Sequence, residues 1–243
     1  MTPPMDSPLD TRVVLGQAAY TPTTLALYDI GVLGLSCSFI WRVAARRLLA
    51  VYDANISAHH LECGVGTGWF LDRCRFPDPH PRLVLADLNP SCLQTTSHRI
   101  RRYAPETMQA NLLEALPTEE RFDSIGLNFV LHCIPGTFAE KGVIFRHLRD
   151  RLAPGGVLFG STLLQGDVPT NAAARALMAF YNRKGIFSNT GDTRAGLHEA
   201  LADAFDDFSL ETWGSAGVFI ARAPPSPPSP GPTATRASLR ATS

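Results

Sequence analysis

The segment Leu61-Glu62-Cys63-Gly64-Val65-Gly66-Thr67-Gly68-Trp69 holds the residues of this 243-residue chain that are best suited to chemistry. Three alternating glycines follow an acid, between a predicted strand and a predicted helix. Glycines at such a turn let a ligand approach the backbone and the helix N-terminus closely. A large residue, Trp69, stands where a dinucleotide-binding loop has its third glycine, which disfavours a dinucleotide. Glu62 is instead suited to face a cationic group such as the ammonium of an amino acid.

A second acid, Asp87, stands nineteen residues beyond Gly68, at the end of an apolar run that is typical of a buried parallel strand. A carboxylate at the end of such a strand is well placed to accept hydrogen bonds from both hydroxyls of a ribose. Asn89, followed by Pro90, is the better cap for the next helix. The glycine loop and Asp87 together therefore predict a ligand that carries a ribose.

Alternating strands and helices must position these residues. The predicted strands lie at 58–63, 82–87, 107–110, 122–129 and 156–162, with a hairpin at 208–213 and 217–222. A single helix is predicted over 137–152, ended by Ala153-Pro154-Gly155-Gly156. Repeated strand–helix units predict an α/β fold with a Rossmann-like, doubly wound and mostly parallel sheet.

The chain is predicted to have three parts. Residues 12–54 have an apolar pattern typical of helices, and residues 1–54 are predicted to form an N-terminal helical cap. Residues 55–222 would form the core, with a helical insert at about 167–189. Residues 223–243 read APPSPPSPGPTATRASLRATS, with no acid and almost nothing to bury. Such a segment is expected to be a disordered tail.

Charge and cysteine content exclude several classes of protein. Lys and Arg total 22 and Asp and Glu total 22, so the formal net charge is zero and no nucleic-acid partner is expected. No uncharged run reaches the ~18–20 residues of a membrane span, and the start lacks the features of a secretory signal. The five scattered cysteines predict reduced thiols and no metal site. We expect a cytoplasmic monomer or homodimer.

With these motifs in this order, the chain resembles the class I S-adenosylmethionine-dependent methyltransferase family from about residue 57 to residue 222. The matching segments are ECGVGTG, LADLN with Asp87, Gln109-Ala110-Asn111-Leu112, Phe122-Asp123-Ser124-Ile125 and Leu152-Ala153-Pro154-Gly155-Gly156. Many members carry Asp where this chain has Asn111, although an amide can also contact an adenine edge. The family's sheet has seven strands, the last of them antiparallel.

The resemblance implies S-adenosylmethionine as the cofactor and a set of residues that bind it: Glu62, Gly64, Gly66, Gly68, Asp87, Leu88, Asn111, Leu112 and Asn128. His132, just after the fourth predicted strand, is the candidate catalytic base, with a role in the pocket wall as its alternative. Tyr20, Tyr28 and Tyr181 are candidate substrate-binding residues, although aromatic residues under a helical cap more often serve packing. His59 and His60 are predicted to be surface or edge residues.

The resemblance also implies the reaction: methyl transfer by in-line displacement to a partly hydrophobic small molecule, with specialised metabolites among the candidates. A macromolecular acceptor is an alternative, but Asn128-Phe129-Val130-Leu131 differs from the N-P-P-aromatic tetrad of enzymes that methylate the amines of bases. A cyclase or a module that only binds S-adenosylmethionine would keep the same cofactor residues. These alternatives differ in whether S-adenosylhomocysteine is released.

Overall fold

A seven-stranded sheet runs through the computed structural model, which describes residues 40–226. The strands are β1 (His59–Cys63), β2 (Arg82–Asp87), β3 (Glu106–Gln109), β4 (Phe122–Asn128), β5 (Leu152–Leu163), β6 (Asp207–Trp213) and β7 (Ala216–Arg222). Their order is β3-β2-β1-β4-β5-β7-β6. The first five pair in parallel, and β7 runs antiparallel to both β5 and β6. The predicted doubly wound sheet with an antiparallel last strand is confirmed.

Helices cover both faces of the sheet. They are α1 (Ala45–Asn55), α2 (Trp69–Arg73), α3 (Pro90–Arg99), α4 (Phe138–Lys141), α5 (Val143–Arg149), α6 (Ala172–Arg183) and α7 (Arg194–Ala202). Buried residues of α4, α5 and α7 form one apolar core with the sheet, and those of α1, α2, α3 and α6 form the other. Successive residues of β2 alternate between these two cores, as the side-chain period of a strand requires. No helix between residues 40 and 226 is long and apolar enough to cross a membrane.

The predicted cap of α3 is confirmed, because the Asn89 side chain accepts a hydrogen bond from the Ser91 N–H at 2.9 Å and Pro90 is the first helical residue. The single helix predicted over 137–152 is wrong. Gly142 separates α4 from α5, and a Cβ there would lie 2.5 Å from the carbonyl oxygen of Phe138 and 3.0 Å from Cβ of Ala200. Glycine thus lets this corner pack closely against α7.

The Pro-Gly-Gly segment is predicted to end a helix and precede a strand, but α5 already ends at Arg149 and the segment lies inside β5, which begins at Leu152. Leu152 pairs with Phe122, whereas Val157 pairs with Ser124, so the residues between them form an irregularity in the strand. Gly155 has a φ of 76°, in the region that favours glycine.

The ends of the described chain bear on the predicted cap and tail. Of the predicted cap, residues 40–54 are described, and there α1 packs on the sheet through Leu48 and Tyr52. Beyond β7 the backbone stays bonded to the core, since the Ala223 N–H donates to Gly156 at 2.9 Å and Pro224 accepts from Gly155 at 3.0 Å. Residues 1–39 and 227–243, with Tyr20 and Tyr28, lie outside the described part.

A buried ion pair joins α4 to two loops near the carboxyl end of β4. Lys141 Nζ lies 2.7 Å from Asp192 Oδ2, and both side chains have no exposed surface. The ammonium also donates to the carbonyl oxygens of Leu131 at 3.0 Å and of Ile134 and Ser188 at 3.3 Å. Because its bonds are made to both loops, the ammonium fixes the segment after β4 against the segment after α6.

Removing one member of this pair should destabilise the protein strongly. We expect Asp192→Leu to lower the free energy of unfolding by about 3–5 kcal/mol, because Lys141 is left buried without its counter-charge. The double variant Lys141→Met with Asp192→Leu should regain most of this loss. Urea unfolding measures both, with Glu119→Gln in the exposed pair with Arg151 as a control that should change little. A double variant no more stable than the single one would contradict this account.

Candidate functional site

A cavity opens at the carboxyl ends of β1, β2 and β4, where the loops after these strands meet. It encloses about 1210 Å³ including its open mouth. The glycine loop forms one part of its wall, and the segment after β4 forms another with Phe129, Val130, Cys133, Ile134 and Pro135. Every cofactor-binding residue predicted from the sequence lines this cavity.

The glycine loop needs its glycines for two reasons. Gly64, Gly66 and Gly68 have φ values of 69°, 53° and 71°, which side chains other than glycine rarely adopt. A Cβ on Gly64 would overlap the Val130 side chain, and a Cβ on Gly68 would lie 2.7 Å from Thr96. A Cβ on Gly66 would meet no atom within 4 Å, so the backbone there is open to a ligand.

Asp87 ends β2 with its carboxylate at the cavity. Its Oδ1 accepts the backbone N–H of Asn89 at 2.8 Å. Burial raises the pKa of Asp87 above its usual range, although backbone N–H groups of Asn89, Val65 and Gly66 act in the opposite direction. The carboxylate is thus held by the backbone beside the open part of the glycine loop.

Glu62 is buried at the floor of the cavity, with 4 % of its surface exposed. The Tyr52 hydroxyl donates to Oε1 at 2.6 Å, and His60 Nε2 lies 3.0 Å from Oε2. Burial and the charge of Glu62 raise the pKa of Tyr52, so the phenol keeps its proton and donates it. The prediction that His60 is a surface or edge residue is wrong, because its ring is fully buried.

The remaining predicted cofactor residues form the rest of the wall. Leu88 and Leu112 supply apolar surface. Asn111 bonds within its own turn, to Leu113 N–H at 3.1 Å and to Glu114 Oε1 at 3.0 Å. Asn128 accepts a hydrogen bond from the Ser161 hydroxyl. Their individual contacts with a cofactor stay predictions.

His132 lies behind the cavity wall and is 3 % exposed. Its ring packs edge-on against Phe129 and Phe187, with centroids 6.0 and 4.6 Å away, and its Nδ1 lies 3.4 Å from the Thr162 hydroxyl. Burial, and then the charge of Lys141, lowers its pKa to about 3. The ring is therefore neutral and weakly basic at neutral pH, and its role as a base stays a prediction.

Tyr181, the third candidate substrate-binding residue, lies on α6. It is not one of the described residues that line the cavity. Its ring contacts Phe187 with centroids 4.9 Å apart, and Phe187 in turn contacts His132. A chain of aromatic side chains thus connects Tyr181 to Phe129 at the cavity. Tyr181 is placed to support this wall, and direct contact with a substrate stays a prediction.

Several site residues were not found from the sequence. Tyr52 reaches the cavity from α1, and Phe129 lines it with a left-handed φ of 56° that is unusual for a bulky residue. Trp69 also lines the cavity, with the Arg73 guanidinium 4.5 Å above its ring. Only Trp69 carried a sequence signal, its place in the glycine motif. The other two depend on how α1 and the end of β4 pack.

Comparisons with known proteins agree with this geometry. Residues 61–158 match a family model described as a methyltransferase domain. The chain is 40% identical over 217 residues to demethylluteothin O-methyltransferase of Streptomyces thioluteus, covering 89% of this chain and 94% of that protein. It is 34% identical to the physcion biosynthesis cluster O-methyltransferase of Aspergillus chevalieri, covering 86% of this chain and 95% of that protein. The structure of the N-methyltransferase NodS of Bradyrhizobium japonicum WM9, solved with S-adenosylhomocysteine, matches with a TM-score of 0.57 at 16% identity. The match covers 84% of this chain and 99% of NodS.

The chain belongs to the class I S-adenosylmethionine-dependent methyltransferases. It is an enzyme that uses S-adenosylmethionine to methylate a small molecule. The residues present fit this cofactor. The backbone is open at Gly66, a carboxylate stands beside it at Asp87, and a buried acid lies at the floor.

Loss of the Asp87 carboxylate should weaken cofactor binding. We expect Asp87→Ala to lose roughly 1.5–3 kcal/mol of binding free energy for each charged hydrogen bond to the ribose that is removed. Calorimetry with S-adenosylhomocysteine measures this loss, with the exposed Asp123→Ala on the same sheet as a control. Equal affinities for the Asp87 variant and the parent would show that the carboxylate does not hold the ribose.

The buried neutral His132 should make the protein less stable in acid. Between its folded pKa of about 3 and an unfolded value of ~6.5, the unfolded chain binds more protons, so the free energy of unfolding falls as the pH falls through this range. From pH ~7.5 to ~5, His132→Gln should lose about 2 kcal/mol less than the parent. Urea unfolding at both pH values tests this. Exposed His198→Gln should keep the parent's dependence, and an equal dependence in the His132 variant would refute the assignment.

Proposed function

We propose that this enzyme transfers the methyl group of S-adenosylmethionine to a hydroxyl oxygen of a partly hydrophobic small molecule, of the kind made as a specialised metabolite. The observation that carries the proposal is the match to a named O-methyltransferase at 40% identity over 89% of the chain. A second relative with this type of activity in its name matches over 86% of the chain.

The walls of the cavity support an acceptor that is partly hydrophobic. Trp69 and Phe70 line the cavity beside the glycine loop, and Phe129 and Ile134 line it from the segment after β4. Apolar and aromatic walls with few polar groups are typical of sites for small organic molecules. The aromatic contacts from Phe129 through His132 to Phe187 give this wall a rigid backing.

The chain's part in the reaction is binding and alignment. When bound, S-adenosylmethionine supplies an electrophilic methyl group on a sulfonium. The open backbone at Gly66 and the carboxylate of Asp87 would hold its nucleoside part, and Glu62 would face its ammonium. The apolar walls would exclude water and align the acceptor oxygen with the methyl group.

A hydroxyl acceptor must also lose its proton. His132 is the candidate base after β4, but its lowered pKa of about 3 makes it a weak one. An acidic hydroxyl such as a phenol, which ionises without strong assistance, is therefore the acceptor that suits this site better. If His132 only supports the cavity wall, its replacement would affect KM more than kcat.

A product analysis with labelled cofactor tests the proposed function. The purified enzyme is incubated with methyl-labelled S-adenosylmethionine and paired acceptors, each phenol beside its deoxy and amino analogues. We expect label in the phenol product only, with an equal amount of S-adenosylhomocysteine, and strongly reduced label with Asp87→Ala. Transfer to the amine and not to the phenol would overturn the assignment to oxygen. Turnover of an acceptor without accumulation of S-adenosylhomocysteine would favour the cyclase alternative.

A further inference from the structure

His60 is a fully buried polar residue that the methyl-transfer scheme does not use. We propose that His60 is a positioning residue of the cofactor site, which fixes the Glu62 carboxylate toward the cofactor's ammonium by donating a hydrogen bond from Nε2. This inference rests on the proposed contact between Glu62 and the ammonium.

The donor role of His60 follows from its two ring contacts. Nε2 lies 3.0 Å from Glu62 Oε2, and an ionised carboxylate only accepts, so Nε2 must carry the hydrogen. Nδ1 lies 2.7 Å from the Ser124 hydroxyl on β4, which can donate to it. Ser124 in turn accepts from the Ser57 N–H at 2.9 Å and lies 2.8 Å from the Ser57 hydroxyl. The carboxylate of Glu62 therefore sets the tautomer of the ring.

The packing around the ring leaves it one orientation. The Phe159 ring lies parallel to it within 24°, with centroids 5.9 Å apart, and Phe76 packs edge-on at 6.4 Å. Glu62 is confined in the same way, because a Cβ on Gly126 of β4 would overlap its carboxylate. The absence of a side chain at Gly126 thus makes the space in which Glu62 lies against His60.

The result is a carboxylate that is held at both oxygens and still open to a ligand. Tyr52 donates to Oε1 and His60 to Oε2, one bond to each oxygen. A carboxylate oxygen can accept two hydrogen bonds, so each keeps one acceptor position. Since Glu62 lines the cavity, these positions are available to an ammonium there. A preorganised carboxylate binds a cation without a further cost of ordering its side chain.

The binding of two ligands is compared to distinguish a positioning role of His60 from a general disturbance of the fold. S-adenosylmethionine carries the amino acid part, whereas 5′-methylthioadenosine keeps the adenine and the ribose and lacks the ammonium. Calorimetry gives the Kd of each ligand for the parent and for His60→Leu, His60→Gln and Glu62→Gln. His59→Leu is the matched control, because the neighbouring ring is partly exposed and bonds Glu120 at 2.8 Å, away from the cavity.

We expect His60→Leu to weaken S-adenosylmethionine binding about tenfold to a hundredfold, the contribution of roughly one charge-assisted hydrogen bond between Glu62 and the ammonium, and to leave 5′-methylthioadenosine binding unchanged. His60→Gln, whose amide can donate to Glu62, should recover part of the affinity. His59→Leu should match the parent for both ligands.

Two results would overturn the inference, and they differ from a failure of the proposed contact. If Glu62→Gln weakens S-adenosylmethionine while His60→Leu does not, then Glu62 binds the ammonium without the help of His60. If His60→Leu weakens both ligands equally, its role is structural. If Glu62→Gln itself leaves the affinity for S-adenosylmethionine unchanged, the proposed contact with the ammonium fails, and the inference fails with it.

Discussion

The parallel pairing of β1 with β2 on one side and β4 on the other is the constraint on which the site depends. In this register Cys63 pairs with Ala86 and Glu62 pairs with Gly126, so the carboxyl ends of the three strands meet at one edge. From β1 the chain first adds β2 and β3 on one side of the sheet and then β4 and β5 on the other side. A crevice opens at this switch, where the loops after β1 and β4 lead away from each other. The glycine loop, the end of β2 and the segment after β4 therefore face the same cavity.

The close approach of the segments around the cavity also decides which residues are tolerated there. The glycine loop approaches the segment after β4 so closely that Gly64 has no room for a side chain beside Val130. The polar groups that this arrangement buries are then bonded to each other: Glu62 to Tyr52 and His60, and Lys141 to Asp192. A buried charge without such partners would be costly. These two networks lie on opposite faces of the sheet and fix the two walls of one cavity.

Local signals predicted the fold, and the residues they marked for the cofactor lie together around the cavity. The apolar runs, the Asn89–Pro90 cap and the three glycines act within a few residues, so their positions could be read directly from the sequence. The division of the 137–152 helix could not, because Gly142 is selected by its contact with Ala200, far along the chain. The burial of His60 could not either, since it depends on Ser124 and Phe159 of other strands. His132 was placed correctly after β4, but the aromatic side chains that bury it come from distant segments.

The two sides of the cavity differ in how firmly the sheet holds them. Glu62 and Asp87 are strand residues, so ladder hydrogen bonds fix their backbones and neighbouring side chains orient their carboxylates. The segment from Phe129 to Pro135 has left the sheet, and the ammonium of Lys141, through the carbonyl groups of Leu131 and Ile134, links it to the loop after α6. Residues in loops can change with less effect on the fold than residues in strands. The strand side thus suits a cofactor whose binding must stay constant, and the loop side suits an acceptor that the enzyme must distinguish from others.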